Sequence, residues 1–411
     1  MRIGVIILND SLTFLHAADV HLDSPFRGLT SLPEAIYDEV KNSTFTTLDH
    51  LVHVAIEKNV DFILFVGDVF DEANRSIRAQ MKFKEACEKL HAHHIFVYVS
   101  YGNHDYTDGT DDVIVYPNNV FVFPPGKVTS TTFVKNGIEL ANIYGFSYEK
   151  RAVTENKVSE YVMIDRDIPY HIATLHGALN EQTDHASYAP FQLSELRATP
   201  FHYWALGHVH ERTVLSVDPP IVYPGNMQGR HRKERGERGC YYVHMSKEKT
   251  TTQFIPLQAV TFEEVAVDVT ECASIFDVER AVQREIVPLR EKTLLSLTLR
   301  NNGTNRFSFT DETIKELLDV VNERLIEQEE WIYIYRYDVY EKQKERVLSD
   351  DTFYAELETT FAQLSLEEIV QDVTTHEIGR KFLTNLATED ELIERARSYL
   401  LNELGRHEEG E

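Results

Sequence analysis

The feature that most restricts this chain is a recurrence. Five short apolar runs, at residues 12–17, 62–66, 95–99, 172–175 and 203–206, are each followed within a few positions by side chains that bind cations. Runs this short, rich in Val, Ile, Phe and Tyr, read as buried strands. The polar ends are Asp19-Val20-His21, Gly67-Asp68-Val69-Phe70-Asp71, Gly102-Asn103-His104-Asp105, His176-Gly177 and Gly207-His208-Val209-His210. Helical spacing at 48–58 and 77–91 separates the first three runs, which implies βαβ units around a buried sheet and an α/β fold class.

Extended backbone through Asp19/His21 and His208/His210 puts both side chains of each pair on one side, so one metal can use both. Glycines at 67, 102, 177 and 207 let the chain turn sharply where it leaves a strand. Carboxylate, amide and imidazole donors without thiolate favour manganese, iron, zinc or magnesium over a cysteine-type zinc site, and manganese is the first choice. Two divalent cations about 3.5–4 Å apart would share a carboxylate and supply an activated water. Asp68 is the natural bridge. His104 is the expected proton donor to a leaving oxygen, with Asp105 expected to hold its ring.

The balance of charge limits what such a centre can act on. With 41 Lys+Arg against 67 Asp+Glu the net charge is −26, so a polyanionic substrate must be met locally. The densest basic stretch carries Arg230, His231, Arg232, Lys233, Arg235 and Arg238. Arg230 and His231 are the preferred phosphate contacts, with Arg27 a third candidate. Cys87, Cys240 and Cys272 lie far apart and suggest neither disulfides nor a zinc ribbon. No apolar run reaches membrane-spanning length, so a cytoplasmic protein with no membrane association is expected.

At 411 residues the chain exceeds a single core. We expect a catalytic domain at 1–258 and an α+β domain at 259–345 with strand–helix–strand–helix–strand order. A helical C-terminal region at 346–411, suited to docking a partner, follows.

The five polar blocks, in this order, resemble those of the calcineurin-like metallophosphoesterases. Through Ala17-Ala18-Asp19-Val20-His21-Leu22-Asp23-Ser24-Pro25-Phe26 and Pro224-Gly225-Asn226-Met227-Gln228-Gly229-Arg230-His231 the chain is similar to SbcD-type bacterial DNA-repair nucleases, and most to their YhaO-like branch. The resemblance implies a four-layer α-β-β-α sandwich with a small capping domain. It implies a first metal on Asp19, His21, Asp68 and His210, a second on Asp68, Asn103, His176 and His208, and His104 as the catalytic histidine. It also implies a manganese-dependent DNA exonuclease or endonuclease working beside an SbcC-like coiled-coil ATPase. Two alternatives stay open: a small-molecule phosphodiesterase, and a scaffold subunit with vestigial hydrolysis. Homodimerisation is left open too.

Overall fold

The computed structural model describes residues 11–26, 28–29, 31–71, 75–107, 114–180, 188–289, 291–301 and 310–341. Arg27, residues 1–10 and the expected helical region at 346–411 lie outside the described residues.

In chain order the first half contains β1 (Leu12–Ala17), α1 (Glu34–Glu57), β2 (Phe62–Val66), α2 (Ile77–Ala92), β3 (Phe96–Ser100) and β4 (Val120–Val122). Next come β5 (Thr129–Lys135), β6 (Ile138–Gly145), β7 (Tyr170–His176), α3 (Leu193–Arg197), β8 (Tyr203–Gly207), β9 (Thr213–Val217) and β10 (Pro220–Tyr223). The chain then forms β11 (Gly239–Met245), β12 (Thr250–Pro256), β13 (Thr261–Asp268), α4 (Ile275–Ile286), β14 (Thr293–Asn301), α5 (Asp311–Leu325) and β15 (Ile332–Glu341).

Two six-stranded sheets result, ordered β12-β11-β1-β2-β3-β4 and β5-β6-β7-β8-β10-β9. Their facing surfaces close over Phe14, Phe62, Leu64, Ile143, Ile172, Tyr203 and Ala205, which are buried because both strand faces in this region are apolar. Helices α1 and α2 cover the outer face of the first sheet through Leu48, Leu51, Phe83 and Leu90. The outer face of the second sheet is covered by the short α3 and connecting segments, through Tyr148, Tyr161, Phe191 and Leu196. This is the α/β sandwich expected from the sequence, with a thin fourth layer. Strands β1, β2 and β3 run parallel, as do β6, β7 and β8, so their carboxyl ends emerge together.

Helix α1 begins fourteen residues before the expected 48–58 stretch, at Glu34. The stretch Ser43-Thr44-Phe45-Thr46-Thr47 has weak helical propensity and hid that beginning. Burial decides otherwise: Ile36, Val40 and Phe45 pack inward, and the hydroxyls of Ser43 and Thr47 donate to the carbonyls of Val40 and Ser43.

Beyond the sandwich, β13, β14 and β15 form an all-parallel three-stranded sheet that packs on α4 and α5 through Val278, Val282, Leu297 and Leu318. Ser274 and Thr310 cap these helices by accepting the amides of Asp277 and Thr313. A second cluster joins this unit to the two-sheet sandwich: Phe26, Leu32, Ile36 and Val40 meet Phe262, Leu294 and Trp331. Among the described residues no helix is long and apolar enough to cross a membrane.

Candidate metal centre

All seven side chains singled out as cation ligands meet where β1, β2, β3, β7 and β8 end. Asp19, His21 and His210 place ligand atoms within 4.8 Å of one another, and so do Asp19, Asp68 and His176. Asp68 lies between the two groups, its Oδ2 3.4 Å from His176 Nε2 and 3.9 Å from His21 Nε2. Asn103 Oδ1 is 3.0 Å from His176 Nε2 and 3.1 Å from His208 Nδ1. The backbone N–H of His208 donates to both oxygens of Asp19, at 3.1 and 3.0 Å.

The convergence is not produced by extended strands. Asp19, His21, Asp68 and His208 have φ of +50°, +47°, +50° and +96°, the left-handed region that side chains other than glycine rarely occupy. Strands β1 and β8 end at Ala17 and Gly207, and the ligands follow in tight turns. The backbone is therefore not extended through Asp19/His21 or His208/His210; Asp19 and His21 still meet in one group of ligand atoms, whereas His210 joins that group and His208 turns to Asn103. Backbone strain of this kind persists where the surroundings over-determine it. Close packing leaves little room for alternatives: a Cβ on Gly67 would lie 1.9 Å from His176 Nδ1, and one on Gly102 would lie 2.4 Å from Asp68 Oδ1.

Hydrogen bonds fix the imidazoles. Val66 O can only accept, so His176 Nδ1 donates to it at 3.1 Å and Nε2 faces Asn103 Oδ1 and Asp68 Oδ2. His210 Nδ1 donates to Glu234 Oε1 at 2.6 Å, which leaves its Nε2 aimed at His21 Nε2 3.2 Å away. Lone pairs and carboxylates thus crowd together in a buried space, an arrangement that needs protons or cations between the donors. Without a cation, burial would lower His176, but Asp68 and Asp19 outweigh it and raise the ring's pKa to about 9. Burial and then the charge of Arg230 lower His21 to about 3, while burial and then the charge of His176 lower His208 to about 3. The donor set of two buried carboxylates, one amide and four imidazoles fits divalent cations.

His104 stands beside the cluster, its ring 5.0 Å from that of His21. Its N–H donates to Asp68 Oδ1 at 2.9 Å, and its Nδ1 donates to the carbonyl of Asp71 at 2.8 Å. A backbone carbonyl, not Asp105, therefore orients the ring. Asp105 accepts instead from the backbone amides of Val69, Phe70 and Gly102, tying the loop after β2 to the loop after β3. Burial, then the nearby charge of Asp68, raise its pKa to about 6. The geometry makes it a positioning group rather than a partner of His104, because three convergent amides capture a buried carboxylate more completely than one ring could.

The basic stretch is largely neutralised from within. Arg230 Nη1 lies 2.5 Å from Asp71 Oδ1, Arg235 pairs with Glu264, and Arg238 Nη2 is 3.3 Å from Glu211 Oε2. Arg230 is half-buried beside the centre, whereas His231 is exposed at the rim, with Nε2 3.4 Å from Glu234 Oε1. Sequence reasoning missed Glu234, an acid embedded in a run of bases. It also missed Arg75, which stacks 4.0 Å over Tyr101 and donates to Asp105 O. Only an acidic residue among excess Arg and Lys hinted at the first.

Residues 12–212 match the family described as Calcineurin-like phosphoesterase. Over 400 residues the chain is 36% identical to the Bacillus subtilis (strain 168) protein named uncharacterized metallophosphoesterase YhaO, covering 96% of this chain and 98% of that one. It is 26% identical to the DNA double-strand break repair protein Mre11 of Methanocaldococcus jannaschii, over 57% of this chain and 63% of that protein. To the Sulfolobus acidocaldarius protein of the same name it is 21% identical, over 88% and 90%.

Proposed function

Because the chain belongs to the calcineurin-like metallophosphoesterases, metal-dependent hydrolases of phosphate esters, we propose that it is a manganese-dependent DNA nuclease acting in DNA repair. The observation that carries this reading is the meeting of seven cation donors at five strand ends with His104 alongside. The DNA substrate draws support from relatives named for double-strand break repair.

Asp19, His21, Asp68 and His210 would hold one cation, and Asp68, Asn103, His176 and His208 the other. When bound, the two cations supply positive charge to phosphoryl oxygens and lower the pKa of the attacking water. As a water oxygen bonds to phosphorus and the bond to the leaving oxygen breaks, a proton must reach that oxygen. His104 can deliver it from Nε2, since Nδ1 is committed to the Asp71 carbonyl. Asp105 keeps the loops after β2 and β3 in register. Arg230, released from or shared with Asp71, is a fixed cation beside the centre for a non-scissile phosphate oxygen.

The test is degradation of end-labelled linear DNA by the purified full chain across Mn²⁺, Mg²⁺, Zn²⁺ and Fe²⁺. Activity greatest with Mn²⁺ and lost in Asp68→Asn and His104→Ala is expected. Equal residual activity in wild type and both variants overturns the assignment. A second reading, a phosphodiesterase for small diesters, is favoured by the internal pairing of Arg230, Arg235 and Arg238 and the net charge of −26. Inhibition of small-diester turnover by DNA at concentrations well below the diester's KM supports the nuclease; no inhibition supports the alternative. An SbcC-like coiled-coil ATPase is the proposed partner, docked through residues 346–411. Deleting those residues should abolish co-purification with the ATPase while sparing small-diester turnover.

A further inference from the structure

His21 and His210 meet through their Nε2 atoms, and a carboxylate stands at the other nitrogen of each ring. Glu234 Oε1 lies 2.6 Å from His210 Nδ1, and Asp71 Oδ1 lies 3.1 Å from His21 Nδ1, the latter an electrostatic contact rather than an aligned hydrogen bond. Arg230 ties the two carboxylates together. Its Nη1 sits on Asp71 at 2.5 Å, and its backbone N–H donates to Glu234 Oε2 at 2.7 Å. On the other side of the centre, the oxygen that holds His176 Nδ1 is the uncharged Val66 carbonyl, while His208 Nδ1 faces Asn103 Oδ1, itself one of that half's donors.

Glu234 is only 5% exposed, and both oxygens are engaged. Oε1 accepts from His210 Nδ1, while Oε2 accepts from Asn226 Nδ2 at 2.8 Å as well as from the Arg230 amide. Arg230 Nη2 also comes within 3.5 Å of His210 Nδ1, but both atoms are donors there, so the shorter contact to the carboxylate defines the tautomer. A carboxylate at Nδ1 does three things for a ligating imidazole. It keeps the proton off Nε2, holds the ring in one orientation, and makes Nε2 a stronger electron donor. A neutral carbonyl supplies the first two but less of the third.

Resting on the reading of this centre as a two-cation site, we propose that Glu234 is a positioning residue that makes the Asp19–His21–His210 half the tighter of the two cation sites. Asp71 reinforces the same half at His21, and Arg230 holds Asp71 and Glu234 in place. The Asp68–Asn103–His176–His208 half, whose His176 ring is held by the neutral Val66 carbonyl, binds its cation more weakly and fills second. Glu234 is buried with both oxygens engaged by protein groups, so its effect on hydrolysis runs through His210.

The experiment is titration of the metal-free full chain with Mn²⁺, followed by calorimetry and by the electron paramagnetic resonance of bound Mn²⁺. Wild type should show two unequal steps. Glu234→Ala should weaken the tighter step by about 10- to 100-fold and leave the weaker one in place. Glu234→Gln, which keeps an acceptor oxygen, should fall between them. Adding Glu234→Ala to His210→Ala should cost no further affinity, which a role confined to scaffolding the 226–238 loop would not predict. Two unchanged steps in Glu234→Ala, both steps weakened alike, or additive losses in the double variant overturn the proposal. Should metal-free Glu234→Ala fail to fold, Glu234→Gln decides: wild-type affinity in a folded Glu234→Gln with an unshifted resonance spectrum also overturns it. A wild type that takes up no cation pair removes the two-cation reading itself, a result distinct from two wild-type sites that ignore Glu234.

Discussion

Asp19, His21 and His210 stand in loops beyond strands, supported by Glu234, Asp71 and Arg230, whereas His176 is the last residue of β7 and leans on the backbone of Val66. One half of the centre is thus held by side-chain charge, and the other by close-packed main chain, with Gly67 and Gly102 lying against His176 and Asp68. Charge can be altered one residue at a time without moving the chain. Close packing cannot, because a rigid sheet edge transmits any added atom to its neighbours. The comparison teaches that similar ligands can be stabilised by two devices with different sensitivities to substitution.

The largest expected effect comes from the residue common to both halves. Asp68→Ala should remove both cation-binding steps and, at several kcal/mol of lost charge stabilisation, cut turnover by on the order of 10⁴-fold or more. Metal content and initial rates measured together check this; retention of one tight cation would show that the halves are independent. His104→Ala comes next. It should lower kcat by about 10²-fold or more while leaving both binding steps largely as they are, because the hydrogen bond from His104 to the bridging Asp68 comes from its backbone amide, which the substitution keeps. A parallel loss of bound metal would show that His104 belongs to a half rather than beside them.

Gly102→Ala addresses the packed half. Its Cβ would sit 2.4 Å from Asp68 Oδ1 and 2.7 Å from His176 Nε2, so a loss of about 1–3 kcal/mol of stability is expected, with the weaker cation step more affected than the tighter one. Denaturant unfolding and Mn²⁺ titration read the two consequences separately. The smallest effect at neutral pH concerns a buried link between the two sheets. His16 donates from Nε2 to Leu206 O and accepts the Tyr203 hydroxyl at Nδ1, joining β1 to β8 across the two sheets. Burial, opposed by the hydrogen bond to Leu206, lowers its pKa to about 3. The folded ring stays neutral where an unfolded one, near 6.5, would take a proton. Its contribution is therefore complete above that value and is lost as pH falls toward 3, amounting to about 2 kcal/mol by pH 5. Urea midpoints at pH 7.5 and 5.0 should differ less in His16→Gln than in wild type.

Much of the architecture was legible because its signals are local. Strands 12–17 and 62–66 appear with the bounds read from their apolar runs, and α2 starts where Ser76 caps it. The beginning of α1 was not legible, since a Ser/Thr-rich turn becomes helical only when Ile36, Val40 and Phe45 find a surface to cover. In the centre, the donor residues stood out by type and order. The pairing of His104 with Asp105 did not form, because adjacent residues in a tight turn point apart and three amides compete for the carboxylate.

What the sequence determined by itself was chemistry and its address: carboxylate, amide and imidazole placed at the ends of apolar runs, which is enough to specify parallel strands with cation donors at one edge. What only the tertiary structure decided was orientation and support. Left-handed turns aim Asp19, His21, Asp68 and His208, and the groups that hold the rings come from distant positions, Arg230 reaching Asp71 across 159 residues and Val66 meeting His176 across 110. A spacing rule reads neighbours along the chain. Hydrogen bonds between loops depend on where the two sheets bring those loops together, and that position is set by the packing of the whole core.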